Sequence, residues 1–243
     1  MKLTPETYPF GDSALTILFG EEISETAYVR VRGLLAALEA DPPEGMRELI
    51  PAYNSLLVVY DPEKTDFSAL DRAVRSRAAL LEVDTETKTR IVRIPVCYEA
   101  PHAMDLEEVA RHTGLSTDEV VSIHSSGIYL VYMLGFTPGF PYLGGMDGRI
   151  AAPRRASPRT RIPAGSVGIA DRQTGIYPQD SPGGWNIIGR TPAVLFDPAR
   201  TPPSLLEAGL SIRFRPIPAR DFEDLASAAS AGRWRPEVEE ERP

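Results

Sequence analysis

One stretch, Gly135–Pro192, constrains this 243-residue chain more than any other. It reads GFTPGFPYLGGMDGRIAAPRRASPRTRIPAGSVGIADRQTGIYPQDSPGGWNIIGRTP, with eleven of the 19 glycines, eight of the 23 prolines, and no lysine or glutamate. Seven arginines against three aspartates give it a formal charge of 7 − 3 = +4, inside a chain of −8. Glycine and proline at this density fix turns and permit positive φ or close backbone approach. The plain structural reading is a loop-rich β-domain. Two features point further. Phe136, Phe140, Tyr142, Tyr177 and Trp185 fall in the turn-rich parts rather than in alternating strands. Every cation is arginine, the side chain suited to bidentate recognition of carboxylate or phosphate. Rigid turns, aromatics and arginine together suit a pocket for a small anionic or amide ligand.

The rest of the chain narrows the class. Hydrophobic content of 42% and charged content of 25% are those of a globular protein able to bury a core. A charge of −8 speaks against general nucleic-acid or anionic-membrane binding. Cys97, the single cysteine, rules out an internal disulfide and a thiolate metal cluster. No apolar run approaches the ~20 residues of a membrane span, and MKLTPETYPFGDSA lacks a signal-peptide core. The expectation is a soluble cytoplasmic protein.

Read in order, residues 13–19 form a strand and 24–39 a helix with Val29, Leu34, Leu35 and Leu38 at helical spacing. Strands follow at 47–52 and 55–60, then a helix over 62–81. This order predicts a small α+β sandwich over residues 1–86. The polar segment Glu82–Thr89 marks a hinge near 82–90. A second, mainly β domain covers 87–232: a strand at 90–98, short helices opened by Asp105 and Ser116 in capping-box patterns, and a strand at 128–136. Strands at 166–170, 186–189, 193–196 and 210–215 and a helix at 219–232 complete it. Turns between so many strands predict a closed barrel. Residues 233–243 form an acidic tail expected to be disordered.

Chemistry is sparse. The sequence has no GxxxxGK[ST], HExxH or CxxC pattern, so no metal site is expected, and its three histidines are scattered. Ser166 lies in AGSVG, but Ala164 stands where a nucleophile elbow needs glycine. His124, at the end of a capped helix, is the expected general acid or base, with a pKa near neutrality. A helix C-cap role would explain it equally well. Arg154 and Arg190, each beside a stiff turn, are the anion-binding choices among Arg154, Arg155, Arg159, Arg161, Arg172 and Arg190. Gln173, Thr174 and Ser181 offer partners for an amide edge. Tyr142, Tyr177 and Trp185 could stack on a flat ligand or build a core; the sequence leaves both open.

Four runs carry a resemblance: GFTPGFPYLGG (135–145), PRRASPR (153–159), IPAGSVGIADRQTGIYP (162–178) and SPGGWNIIGRTP (181–192). In this order and spacing they resemble the signature of the KipI/PxpB family, whose members are called the B subunit of 5-oxoprolinase, allophanate hydrolase subunit 1 or histidine-kinase inhibitor. The resemblance extends from about Gly11 to Pro216. It implies a cyclophilin-like β-barrel after the α+β domain. It also implies one component of an ATP-dependent enzyme that opens 5-oxo-L-proline to L-glutamate together with a PxpA-like and a KipA/PxpC-like partner. ATP, with Mg, is then expected on or shared with a partner, since no cradle for it is evident here. The alternatives are a urea carboxylase or allophanate hydrolase component and a protein that docks on a histidine kinase. The expected site has His124 as catalytic residue. Its substrate-binding wall is Phe136, Pro138, Phe140, Tyr142, Arg154, Ser166, Gln173, Thr174, Tyr177, Trp185 and Arg190, facing a small amide or lactam.

Overall fold

The structure, a computed structural model, describes residues 5–22, 24–81 and 89–241. Backbone packing divides the chain into two compact units, Met1–Thr87 and Lys88–Pro243. The hinge expected near 82–90 falls largely on residues 82–88, outside the described residues. No helix of the described residues is long and apolar enough to cross a membrane.

The first unit runs β1 (Glu6–Pro9), β2 (Ala14–Leu18), α1 (Glu25–Ala40), β3 (Met46–Pro51), β4 (Ser55–Tyr60) and α2 (Phe67–Ala79). Its antiparallel sheet has the order β1-β2-β4-β3. Alternation along β4 buries Leu56, Val58 and Tyr60 against Val31, Leu34 and Leu38 of α1 and Leu70 and Val74 of α2. Ser24 caps α1 by accepting from the Ala27 N–H. The second helix begins at Phe67 rather than Pro62. Asp66 accepts from the Ala69 N–H at 2.7 Å, and residues 61–65 form a turn closed onto the Asp61 carbonyl. β1 shows no apolar alternation in the sequence, and as an edge strand it needs none.

The second unit contains β5 (Thr89–Val96), α3 (Leu106–Thr113), α4 (Thr117–Ser126), β6 (Tyr129–Leu134), β7 (Pro141–Gly144) and a 3-10 turn (Gly148–Ile150). It continues with β8 (Arg159–Ile162), β9 (Ser166–Ala170), β10 (Gln173–Ile176), β11 (Ser181–Gly183), β12 (Asn186–Arg190), β13 (Ser211–Pro216), α5 (Ala219–Ser230) and β14 (Glu237–Glu241). Eight strands pair in the order β12-β9-β10-β7-β6-β13-β5-β14, with β13 and β5 parallel and the other pairs antiparallel. Just past β5, Cys97 and Arg190 exchange both backbone hydrogen bonds, at 2.8 and 2.9 Å. The pairing that starts at β12 therefore returns to β12, and the strands enclose a core of Ile94, Val131, Leu143, Val167, Ile169, Ile176 and Phe214. Cys97 is fully buried, and burial pushes its thiol up.

Two expectations fail here. Residues 193–196 are not a strand; Phe196 makes one isolated bridge to Ser204. The Val194 carbonyl is taken by the Arg200 guanidinium, and the Leu195 carbonyl is shared between Arg200 and the Leu205 N–H. The acidic tail is not disordered over 237–241. β14 pairs along β5 from Glu237 opposite Arg93 to Glu241 opposite Thr89. Arg93 and Arg213 are register neighbours on β5 and β13, and like charges so placed repel. Glu239 pairs with both, and Glu237 reaches Arg215 at 2.9 Å. Glu239→Lys should therefore lower stability by about 1 kcal/mol in dilute buffer, the deficit shrinking as salt rises. Urea melts at low and high salt check this, and a midpoint equal to wild type at low salt would contradict it.

Candidate functional site

The signature runs meet through their aromatic rings. The turn from Gly135 to Phe140 is closed by Gly135 N–H to Phe140 O at 3.1 Å and Phe140 N–H to Thr137 O at 3.0 Å. It holds Phe136 in the left-handed region, φ 64°, with the ring 73% exposed. A bulky residue there is a backbone outlier held by its surroundings. Phe140 sits at the centre of the cluster. Its ring makes edge contacts to Tyr142 at 5.2 Å, Phe136 and Tyr177 at 5.8 Å and Trp185 at 5.9 Å.

Glycine makes this packing possible. A Cβ on Gly175 would lie 3.0 Å from Trp185 and 3.1 Å from Phe140, and one on Gly183 would lie 2.4 Å from the Tyr177 hydroxyl. Alternation along β10 sends Thr174 and Ile176 to the enclosed core and Gly175 to these rings. The rings thus form a second core on the outer face of β9, β10 and β12, with Ile162 and Ile187. Phe140, Tyr177 and Trp185 are buried in it, so their faces are spent on one another rather than open for stacking on a ligand. Phe136 and Pro138 are exposed and Tyr142 half-buried at its rim. Arg154 lies over Trp185, 5.9 Å from its centroid, and reaches Asp171 at 3.5 Å. Gln173 is half-buried at the start of β10, paired with Ala170.

His124 lies apart, fully buried on the enclosed side. Its Nδ1 meets the Tyr98 hydroxyl at 2.7 Å and its Nε2 the Thr174 hydroxyl at 2.9 Å. Thr174 donates its one proton to the Gly168 carbonyl at 3.0 Å, so it must accept from His124. The network assigns a neutral imidazole protonated at Nε2, with Nδ1 accepting from Tyr98. The ring also stacks on Phe214 at 4.4 Å. The expected near-neutral pKa is overturned: burial pushes it down to about 3. His124 is a core histidine, and Thr174 and Ser166, each 1% exposed, are likewise inside.

The arginines divide. Arg155 donates to Asp105 Oδ1 at 2.7 Å, and Arg159 grips both oxygens of the same carboxylate at 2.7 and 2.8 Å. Asp105 also accepts from the Ile187 N–H at 2.7 Å, while its own N–H donates to Ile187 O at 2.7 Å. The carboxylate expected to cap α3 makes no capping bond; it is committed to the PRRASPR run and to β12. Its role was hidden because Asp-x-x-Glu before an apolar run reads as a helix start. Ser116 does form its capping box with Glu119. Arg161 pairs with Asp180 at 2.6 Å. Arg190 donates from Nε to Ala164 O at 2.8 Å and lies over Phe222 at 5.5 Å, not among the signature rings. Among the described residues, no three His, Cys, Asp or Glu side chains gather where they could hold a metal ion.

Two measurements check this assignment. Asp105→Asn leaves two arginines facing a neutral group and should cost about 3 kcal/mol of stability; a loss below about 1 kcal/mol in chemical denaturation would contradict the linking role. His124 has a folded pKa below its unfolded value of 6.5, so unfolding takes up its proton as pH falls. Its contribution is complete above about pH 6.5 and declines by about 1.4 kcal/mol per pH unit down to about pH 3. The pH slope of stability between pH 6 and 4 should therefore be shallower by about that amount in His124→Gln than in wild type.

Comparison with known proteins bears on this geometry. The family model for the carboxyltransferase domain, subdomain C and D, matches residues 5–206. The B subunit of the 5-oxoprolinase of Bacillus subtilis (strain 168) is 50% identical over 222 residues, which cover 87% of this chain and 92% of that protein. The crystal structure of TTHA0988 superposes with a TM-score of 0.72 at 40% identity, covering 84% of this chain but 40% of that longer one. The Kluyveromyces lactis urea amidolyase superposes with a TM-score of 0.81 over 99% of this chain and 16% of that one; at 22% identity this shows a shared mixed α/β fold.

Proposed function

Because the chain belongs to the carboxyltransferase subdomain C and D family that includes the 5-oxoprolinase B subunits, we propose that it works as the B subunit of an ATP-dependent 5-oxoprolinase. The single observation that carries this is 50% identity over nearly the whole of a protein of that name. The reaction is the opening of 5-oxo-L-proline to L-glutamate, in an assembly with the PxpA-like and PxpC-like partners. The closed second sheet is read as the cyclophilin-like barrel that the family resemblance implies.

The described residues do not fit a triphosphate. Signature glycines that would have to cradle one are backed by the protein itself: Gly139 by the Cβ and backbone of Phe196, Gly175 by the Trp185 and Phe140 rings, Gly183 by the Tyr177 ring. The N-terminus of α4 is closed by its own Ser116–Glu119 box. ATP with Mg is therefore assigned to a partner, and no step is routed through it here.

The chain's own contribution is positional. The rim formed by Phe136, Pro138, Tyr142 and Arg154 is assigned to contact with the PxpC-like partner. An exposed aromatic at positive φ is held out for that purpose on a base of packed rings. TTHA0988, in which the region alike to this chain is 40% of one polypeptide, is consistent with a partner of comparable size placed beside it. Purified alone, the chain should release no glutamate from 5-oxoproline and ATP; with both partners, turnover should appear. Phe136→Asp should weaken co-purification with the PxpC-like partner by roughly tenfold, since truncating an interface aromatic typically costs about 1–2 kcal/mol or more. Robust ATP-dependent turnover by the isolated chain would sink the reading of an incomplete enzyme.

A further inference from the structure

Arg190 closes β12, and its backbone is fixed by the two hydrogen bonds it exchanges with Cys97. Its side chain is fixed as well. Nε donates to Ala164 O, and the guanidinium lies over the Phe222 ring of α5. His102, from the loop between β5 and α3, stacks on the same ring at 4.0 Å and 26°. One ring from α5 thus orders a guanidinium and an imidazole that come from separate parts of the unit. The approach is close enough to need glycine at 165: with φ +82°, a Cβ there would lie 2.3 Å from Thr191 O and 3.5 Å from Arg190 Cγ.

The charges around this pair are unevenly matched. Asp180 is spent: it accepts from the Ala164 N–H at 2.8 Å and from Arg161 at 2.8 Å, bonds that lower its carboxyl pKa, with a smaller part from the Arg190 charge. Among the described residues, no carboxylate lies within 4 Å of the Arg190 guanidinium, and its two Nη groups make no hydrogen bond. A guanidinium held by Nε and by its face keeps its Nη edge to offer, and that edge matches a planar carboxylate. Arg155, Arg159 and Arg161 are each paired with an acid; Arg190 is held ready and, among the described residues, has none.

We propose that the Nη edge of Arg190 and the imidazole of His102 form a binding site for the carboxylate of a small molecule. Resting on the 5-oxoprolinase reading, that molecule is 5-oxoproline. The His102 pKa lies below its ordinary value because of burial and the Arg190 charge, against which the facing Glu223 acts in the opposite sense. A carboxylate bound at the Arg190 edge near His102 adds to the Glu223 effect and draws the pKa up, so binding tightens as pH falls toward the His102 titration.

The test is a titration of the full chain, without partners or ATP, followed by affinity and by the NMR titration of the His102 imidazole. The probes are 5-oxoproline, 2-pyrrolidone (the same lactam without the carboxylate) and inorganic phosphate. Saturable 5-oxoproline binding with a rise in the His102 pKa is expected, with neither effect from 2-pyrrolidone. Arg190→Lys and Arg190→Ala should each weaken binding roughly tenfold or more and abolish the pKa rise, because a monodentate or missing cation cannot replace the fork. Arg149→Ala, on an exposed turn, should change nothing. Should Arg190→Ala fail to fold, Arg190→Lys, which keeps charge and packing, decides. No saturable binding, equal binding of 2-pyrrolidone, tighter binding of phosphate, or unchanged affinity in Arg190→Lys would each overturn the site. Turnover needs partners and this titration does not. Binding without turnover in the full assembly would count against the 5-oxoprolinase reading, and turnover without binding against the site alone.

Discussion

The buried carboxylate of Asp105 is the interaction on which the second unit depends. It is 3% exposed, yet it receives three guanidinium hydrogen bonds and one from a backbone N–H. Leaving water costs a lone carboxylate several kcal/mol. Here that cost is offset because every oxygen is bonded and two cations stand beside it. The geometry follows from this saturation. Asp105 and Ile187 exchange hydrogen bonds, which ties the start of α3 to β12, while Arg155 and Arg159 tie the 153–159 run to the same point. Once that run is fixed, β8 can lie against β11 and cover the outer rings.

The two cores of the unit use opposite faces of the same strands. On β9, Val167 and Ile169 face the enclosed core, and Gly168 and Ala170 face the rings. The aliphatic face packs by volume, whereas the ring face packs by close approach of aromatic edges to bare backbone. That explains why the stretch richest in glycine is also rich in Phe, Tyr and Trp. A methyl added at Gly175 would press on both Phe140 and Trp185, so this glycine is fixed by the rings it carries.

How much of this the sequence disclosed depended on where the determining contact lies. Elements set by local rules were legible: β4 from alternation, α4 from its capping box, β9 from its apolar run between turns. β7, β8, β10 and β11 were not. Each has three or four residues rich in Gly, Pro or Arg, and each is a strand because of what it pairs with rather than by propensity. β14 was missed for the same reason, since its glutamates acquire a strand only beside Arg93, Arg213 and Arg215. The aromatics of the signature runs do meet in the structure, but whether they stack on a ligand or on one another is a question of burial. His124 was misread because a helix C-terminus raises a histidine pKa, while complete burial lowers it by far more.

The same burial argument extends to other groups able to move a proton or attack a carbonyl. Tyr98 and Tyr129 are buried and their hydroxyls are pushed well up, one committed to His124 Nδ1 and the other to the His124 carbonyl. Cys97 is sealed beneath the strand junction it forms with Arg190. Asp105 is saturated by two arginines and a backbone N–H group. In the core of the second unit, then, chemically capable side chains are used to hold backbone in place. Facing outward, by contrast, are a ring at Phe136 and a cation over Trp185 at Arg154, the groups that the proposed function uses for recognition. This arrangement fits the proposed reading, in which the chain binds and positions within an assembly.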